Sequence, residues 1–321
     1  MTRYFLWRLL QGVFVVWAAY TLTFVVLFAL PSDPVSIMLG PNNLYTPEDF
    51  AIRRHELGLD RSVPVQYFIS LGHLFQGDLG RSVQSGQPVS DMIAEALPQT
   101  AAMAGLGLLL GALFGVGLAL ATSLTRWRWL RQVLLTLPPA GVAVPGFLIG
   151  LLLLHWFSFQ WNLFPALGNE GWRSLVLPAA TISIQPAAVI AQILARSLDN
   201  ELRQNYVDTA RAKGAGPVRV NVRHALRNAA LPTLTIAGLL VGGLLAGAIV
   251  AEVVFSRNGL GQISQTAVSS QDLPVVQGVV LLGSAIFVVI NLLVDLLYPL
   301  LDPRITQVRR QPRSQPVTVS L

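Results

Sequence analysis

Six apolar runs, at about residues 5–30, 98–123, 130–159, 177–198, 231–255 and 274–301, constrain this chain more than any other feature of its sequence. A bilayer core needs about 20 apolar residues of helix to cross it, and each run reaches that length. The composition agrees, with 53% hydrophobic and only 12% charged residues, outside the range of ordinary soluble domains. In hydrocarbon every backbone N–H and C=O must be satisfied within the span, so runs of this length fold as helices. The expected fold is all-α, a polytopic membrane bundle of six transmembrane helices. The first run follows Arg3 and could be read as a signal peptide. It is too long for that and has no convincing small-residue cleavage site, so it is read as a retained helix.

Six spans put both termini on one side, and the basic residues say which. Of the 22 Lys and Arg, sixteen fall on the side of the termini. The other six are Arg53, Arg54, Arg61, Arg81, Arg173 and Arg257. The positive-inside rule then places both termini in the cytoplasm. This distribution also accounts for the net charge of +6 without nucleic acid; the densest basic loop carries one aromatic, Tyr206, and no stacking series. There is no cysteine, hence no disulfide or thiolate site. Lys213, the only lysine, lacks the Gly-rich lead-in and following Ser or Thr of a phosphate-binding loop, so any ATP used must be bound by another chain. His55, His73, His155 and His224 are scattered, without metal-ligand spacing. No nucleophile elbow or zinc-protease helix occurs. Neither a cofactor nor a metal is expected.

Prolines and glycines mark the spans. Pro138, Pro139 and Pro145 are expected to interrupt the third span, and Pro178 and Pro186 the fourth, as static kinks or as a pathway or hinge. Pro138, Pro145 and Pro186 are the gating candidates. Gly107, Gly111 and Gly115, and again Gly238, Gly242 and Gly243, put small residues along helix faces where backbones can pack closely. Glu252 and Asp295 lie in or at the edge of apolar runs, where an ionised group is costly unless paired or wet. They are candidates for a relay or cation site, or else structural acids: a helix-end acid for Glu252, an acid bonded to Asn291 for Asp295.

The stretch 206–232, YVDTARAKGAGPVRVNVRHALRNAALP, is a basic insert between two apolar runs. Its small residues allow close backbone approach, and its arginines hold it out of the hydrocarbon. The order Asp208-Thr209-Ala210, Gly214, Leu231-Pro232 resembles the EAA loop of importers driven by an ATP-binding cassette (ABC). Asp208 and Thr209 in place of Glu and Ala narrow the resemblance to the peptide/nickel permease branch. Segment 31–97 is too long for a connector and should fold as amphipathic helical pieces punctuated by Gly77, Gly80, Gly86 and Pro88. Leu57-Gly58-Leu59-Asp60, Val65-Gln66-Tyr67 and Gly77-Asp78-Leu79-Gly80 with Ser82 resemble the external region of those permeases. Glu252, Phe255 and Gly259-Leu260-Gly261, with Asn258 where proline is commonest, and Asn291 to Asp295 with Leu301-Asp302-Pro303, are similar to its later signatures.

The resemblance implies a type I ABC importer-like permease subunit of the inner membrane, moving peptides, nickel or a metal-chelating or peptide-like solute. Its partners would be a homologous second permease, two ATPase subunits and an external substrate-binding protein. It implies a coupling loop at 203–232, with Asp208, Ala210, Arg211, Ala212, Lys213 and Gly214 meeting the ATPase. It also implies an external region in which Gly77, Asp78, Gly80, Ser82 and Gly86 meet the binding protein. The chain divides into a first helix (1–30), the external segment (31–97), a five-helix core (98–305) and a cytoplasmic tail (306–321). An ion-coupled secondary transporter using Glu252 and Asp295 is the alternative; a membrane scaffold or enzyme is a third.

Overall fold

A computed structural model describes residues 2–29, 35–36, 46–56 and 60–301. Helices α1 (Thr2–Ala29), α2 (Pro47–Glu56), α3 (Val63–Phe75), α4 (Val89–Leu124), α5 (Arg128–Ala143) and α6 (Gly146–Leu153) come first. α6 runs on as a π-helical stretch, Leu154–Gln160. They are followed by α7 (Arg173–Glu201), α8 (Asn205–Ala212), α9 (Leu226–Val254), α10 (Leu260–Ser269) and α11 (Leu273–Leu301). α9 is entered through a turn at Pro217–Arg219 and a π-helical stretch at Val220–Ala225. Among the described residues the only extended pairing is a single bridge between Arg81 and Pro88.

By length and composition α1, α4, α7 and α11 each suffice to cross a membrane, and α5 with α6 forms a further, broken span. α9, at 29 residues, is about 43 Å long, and its apolar stretch Gly242–Val254 lies where the fifth span is expected. The third span is interrupted, but at one place only, and it is two helices bent by 104°. Pro138 and Pro139 sit inside α5 without ending it. The break falls at Val144, which is extended (φ −83°, ψ 126°), as the residue before a proline prefers. Pro145 then starts α6. In the fourth span Pro178 and Pro186 do not interrupt α7, which is continuous. The second span begins as helix at Val89, nine residues before Pro98, which lies inside α4.

α4 and α7 form the central pair. Thr100, Met103, Gly107, Gly111, Gly115, Ala119 and Thr122 of α4 are all buried, a stripe at three- and four-residue spacing that keeps one face inward. A Cβ at Gly107 would stand 2.6 Å from Ile182, at Gly111 3.0 Å from Pro186, and at Gly115 2.8 Å from the Ala187 carbonyl. The expected close approach is therefore made by α7. Gly242 similarly meets Phe287 of α11, whereas Gly243 faces open space; Gly238 lies outside the described side chains.

Buried apolar side chains gather at three depths. Val89, Ile93, Leu260 and Val275 lie near one end, Met103, Leu177, Leu244 and Phe255 in the middle, and Leu194, Leu198 and Ala225 near the other. The last end, which carries α8 and the arginines around it, is called the basic end below.

Candidate functional site: a coupling surface and its counterpart at the far end

At the basic end, the connection between α7 and α9 folds as the short helix α8. Val207 and Val220 are fully buried and pin it down, while Asp208, Thr209, Arg211, Ala212, Lys213 and Gly214 are exposed and Ala210 is partly so. Arg211 pairs with Asp208 at 3.1 Å, one turn apart on the exposed face. The helix ends in a Schellman cap: the Gly214 amide donates to the Arg211 carbonyl at 2.9 Å and the Ala215 amide to the Ala210 carbonyl at 3.1 Å. That cap needs a left-handed residue, and Gly214 supplies it at φ +82°. A Cβ there would meet nothing within 4 Å, so within this chain the glycine serves backbone conformation.

The mount of α8 is polar. The Ser123 hydroxyl donates to the Asn221 side chain at 2.6 Å, and the Asn221 amide donates to the Pro217 carbonyl at 2.9 Å. Asp199, near the end of α7, receives Arg131 of α5 at 3.0 Å and Arg203 at 2.9 Å. Tyr206 donates to Glu201 at 2.6 Å, and burial, with that bond adding, raises its phenol above the usual value. α8 is thus tied to α7 through Tyr206 and Glu201, the stretch that follows it is tied to α4 through Asn221, and Arg131 of α5 braces the end of α7.

At the far end the structure gathers residues that sequence reasoning left apart. Glu252 is 1% exposed; its carboxylate accepts from the Thr100 hydroxyl and the Gly261 amide, each at 2.6 Å, and from the Gln262 amide at 3.3 Å. The Leu260 amide donates to the Thr100 oxygen at 2.8 Å. Three of the four N–H groups that an α-helix leaves unsatisfied at its start are therefore capped on α10 by side chains from α4 and α9. Gly259 and Gly261 have no side chain because Glu252 and the Ile249 backbone occupy that space. Phe255 is buried and touches Gly150 of α6. The pattern Glu252, Phe255, Gly259-Leu260-Gly261 is thus a packed corner.

Arg257, assigned by charge counting to an outer loop, is likewise 1% exposed. Its guanidinium donates to the Gly168 carbonyl at 2.9 Å, to the Ser174 carbonyl and hydroxyl at 3.0 Å, and to Gln99 at 3.1 Å. Burial draws its affinity for the proton below the usual value, and the charge of Glu252 opposes that. Arg257, five positions along from Glu252, is near enough for the two charges to act on each other, but its hydrogen bonds go elsewhere.

In the external segment α3 is docked on α1: Tyr67 shares a 2.8 Å hydrogen bond with Thr21 and an edge-on ring contact with Phe24. Gly77, Asp78 and Gly86 are exposed, and Gly80 is partly covered. All three glycines hold positive φ, from +70° to +79°. Ser82 is instead 4% exposed and donates to Asp272 at 2.5 Å, while the Val83 amide reaches the same carboxylate at 3.1 Å. It ties the loop to the α10–α11 corner. Leu57-Gly58-Leu59 and the side chain of Asp295 lie outside the described residues, and among the described residues no cluster of metal-ligating side chains occurs.

The described residues thus form a bundle of membrane helices, one span of it broken, with a short exposed helix among arginines at one end. Two family descriptions match: "Binding-prot-dependent transport system membrane comp, N-term" over residues 1–104 and "Binding-protein-dependent transport system inner membrane component" over residues 102–307. The glutathione transport system permease protein GsiC of Salmonella choleraesuis is 37% identical over 305 residues, covering 95% of this chain and 99% of that protein. A putative peptide permease of Brucella suis is 37% identical over 316 residues, at 95% and 99% coverage. The fold resembles the MetNI methionine ABC transporter in an inward-facing conformation, with TM-score 0.57, 16% identity and coverage of 66% of this chain and 96% of that one. The chain belongs to the family of binding-protein-dependent inner-membrane transport components. It is a multi-pass permease of the inner membrane.

Proposed function

We propose that this chain is one of two homologous permease subunits of an ATP-driven importer for glutathione or short peptides, with two separate ATPase subunits and an external binding protein. Its basic end, both termini and the tail (306–321) lie in the cytoplasm, and segment 31–97 lies outside. The observation that carries this reading is α8: an exposed helix, closed by a left-handed glycine and set in the connection between α7 and α9, is a lever on which a nucleotide-driven partner can push. Asp208, Ala210, Arg211, Ala212, Lys213 and Gly214 form its contact face. The glutathione and peptide permeases among its relatives favour those solutes over nickel. Gly77, Asp78 and Gly86 are exposed and suit contact with the binding protein, with Gly80 shaping the loop and Ser82 fixing it to Asp272. Pro145 sets the break of the third span, and Pro138 and Pro186 lie within the helices on either side of a cavity beside that break.

The secondary-transporter reading is not favoured, since Glu252 is committed to the cap of α10. The test is reconstitution of the full complex with binding protein, scored by stimulated ATP hydrolysis and glutathione uptake. Gly214→Leu places a side chain at φ +82° and is expected to lower both about tenfold through loss of the cap. Charge reversal, Arg211→Glu, is expected to weaken co-purification of the ATPase. Normal uptake by both variants, with the complex intact, overturns the coupling role of α8.

A further inference from the structure

One cavity matches neither the basic end nor the far end. It measures about 550 Å³ and lies between the α5–α6 break, α7 and α9. Its walls include Gly146 and Phe147 beside the break, Gln185 on α7, and Gly243, Gly247 and Val250 on α9. None of the lining side chains is ionisable. Gln185 is exposed there and makes no hydrogen bond among the described residues. It stands twelve residues from Arg173 and sixteen from Glu201, about 18 Å and 24 Å along the helix, and therefore deep within the span.

An amide facing lipid at that depth would lose its hydrogen bonds to water without replacement. Such groups in spans face a wet cavity or a polar partner. A second polar group is created beside it, because Pro186 has no N–H and leaves the Ile182 carbonyl without its helical donor; Ile182 lines the same cavity. Opposite, α9 sets two glycines among apolar side chains such as Leu240, Leu244 and Val250: a Cβ on Gly243 would meet nothing within 4 Å, and one on Gly247 only Ile182 at 3.8 Å. At those two positions the far wall is held back from the space.

We propose that this cavity is the passage by which solute crosses the hydrocarbon depth, and that Gln185 is the residue that hydrogen-bonds it there. This rests on the importer reading and narrows it. A wall with one side-chain amide and no charge recognises the amide groups of a peptide-like solute, and offers neither carboxylate nor imidazole to a bare metal cation.

The absence of cysteine makes the test direct. Gln185→Cys is introduced into the complete complex in proteoliposomes and treated with a water-soluble cationic methanethiosulfonate, nucleotide-free and after vanadate trapping. Modification in one of the two states is expected about tenfold faster than for Leu109→Cys, which is 64% exposed on α4, because thiols in lipid stay protonated and dry. S-methylglutathione, which has no free thiol, should slow it. Val250→Cys on the facing helix gives an independent reading if the first variant assembles poorly. Gln185→Leu is expected to reduce S-methylglutathione uptake about fivefold, one hydrogen bond's worth, with stimulated ATP hydrolysis retained. Modification no faster than at Leu109→Cys in both states, at both positions, overturns the proposal. If both positions are modified rapidly while the unsubstituted complex takes up neither S-methylglutathione nor trialanine, the passage stands and the solute assignment fails.

Discussion

Glu252 shows how much one residue's meaning depends on its neighbours. As an acid at the edge of an apolar run it suggested either ion chemistry or a helix end. The structure makes it the cap of a different helix, α10, with Thr100 completing the arrangement and Arg257 buried nearby. Removing such a carboxylate leaves three donors unsatisfied and a buried cation less compensated. Glu252→Ala should therefore destabilise the purified complex by about 2–4 kcal/mol, read as a fall in thermal midpoint, whereas Glu252→Gln keeps the shape and one acceptor oxygen for the α10 amides and should lose less. Uptake by the unsubstituted protein should not depend on a proton gradient; if it does, and Glu252→Gln abolishes that dependence, the ion-coupled reading returns. The sequence signalled this site in Gly259-Leu260-Gly261, but what the glycines make room for is a carboxylate seven and nine positions earlier, which spacing alone does not reveal.

Among the helices, the α4–α7 pair depends on glycine at one face and is indifferent to it at another. Gly115 is buried, and its missing Cβ would stand 2.8 Å from the Ala187 carbonyl and 2.8 Å from Ile190. Gly117, two residues on, is exposed with nothing within 4 Å. Gly115→Ala must push a backbone aside and should cost about 1–3 kcal/mol. Gly117→Ala meets no neighbour and should be neutral or stabilising by up to about 1 kcal/mol from helix propensity. Thermal unfolding of the two variants in detergent checks this, and equal effects would mean that α7 does not lie against that face. The face was legible, because a four-residue spacing of small residues has few other uses in a span. The prolines were less so: their backbone cost is fixed, but whether a helix bends, breaks or absorbs it depends on what packs alongside. Pro186 lies against Gly111 and α7 continues, whereas at Pro145 the chain turns by 104°.

For the whole molecule the main expectation is orientation. Basic charge concentrates at one end together with α8, and a bilayer that retains arginine on the cytoplasmic side fixes that end inside. Single cysteines report it without background. Ser85→Cys, on the exposed loop beside Gly86, should be labelled from outside by an impermeant maleimide in intact cells, and Ala215→Cys, next to Gly214, only after the membrane is opened. The reverse pattern would invert the molecule and remove the basis for coupling through α8.

The sequence by itself determined the membrane, the helical class and the positions of most spans, because each follows from local quantities: run length and charge placement. The family resemblance extended this to the kind of machine. Tertiary structure decided what depended on residues distant in the chain. It buried Arg257 among Gly168, Ser174 and Gln99, set Ser82 on Asp272, and gave α10 a cap from two other helices. It also left Gln185 beside a cavity, without a hydrogen bond among the described residues. Hydropathy ranks an amide only by its transfer cost; whether that cost is met by a neighbour, by water or by a passing solute is settled where the helices cross.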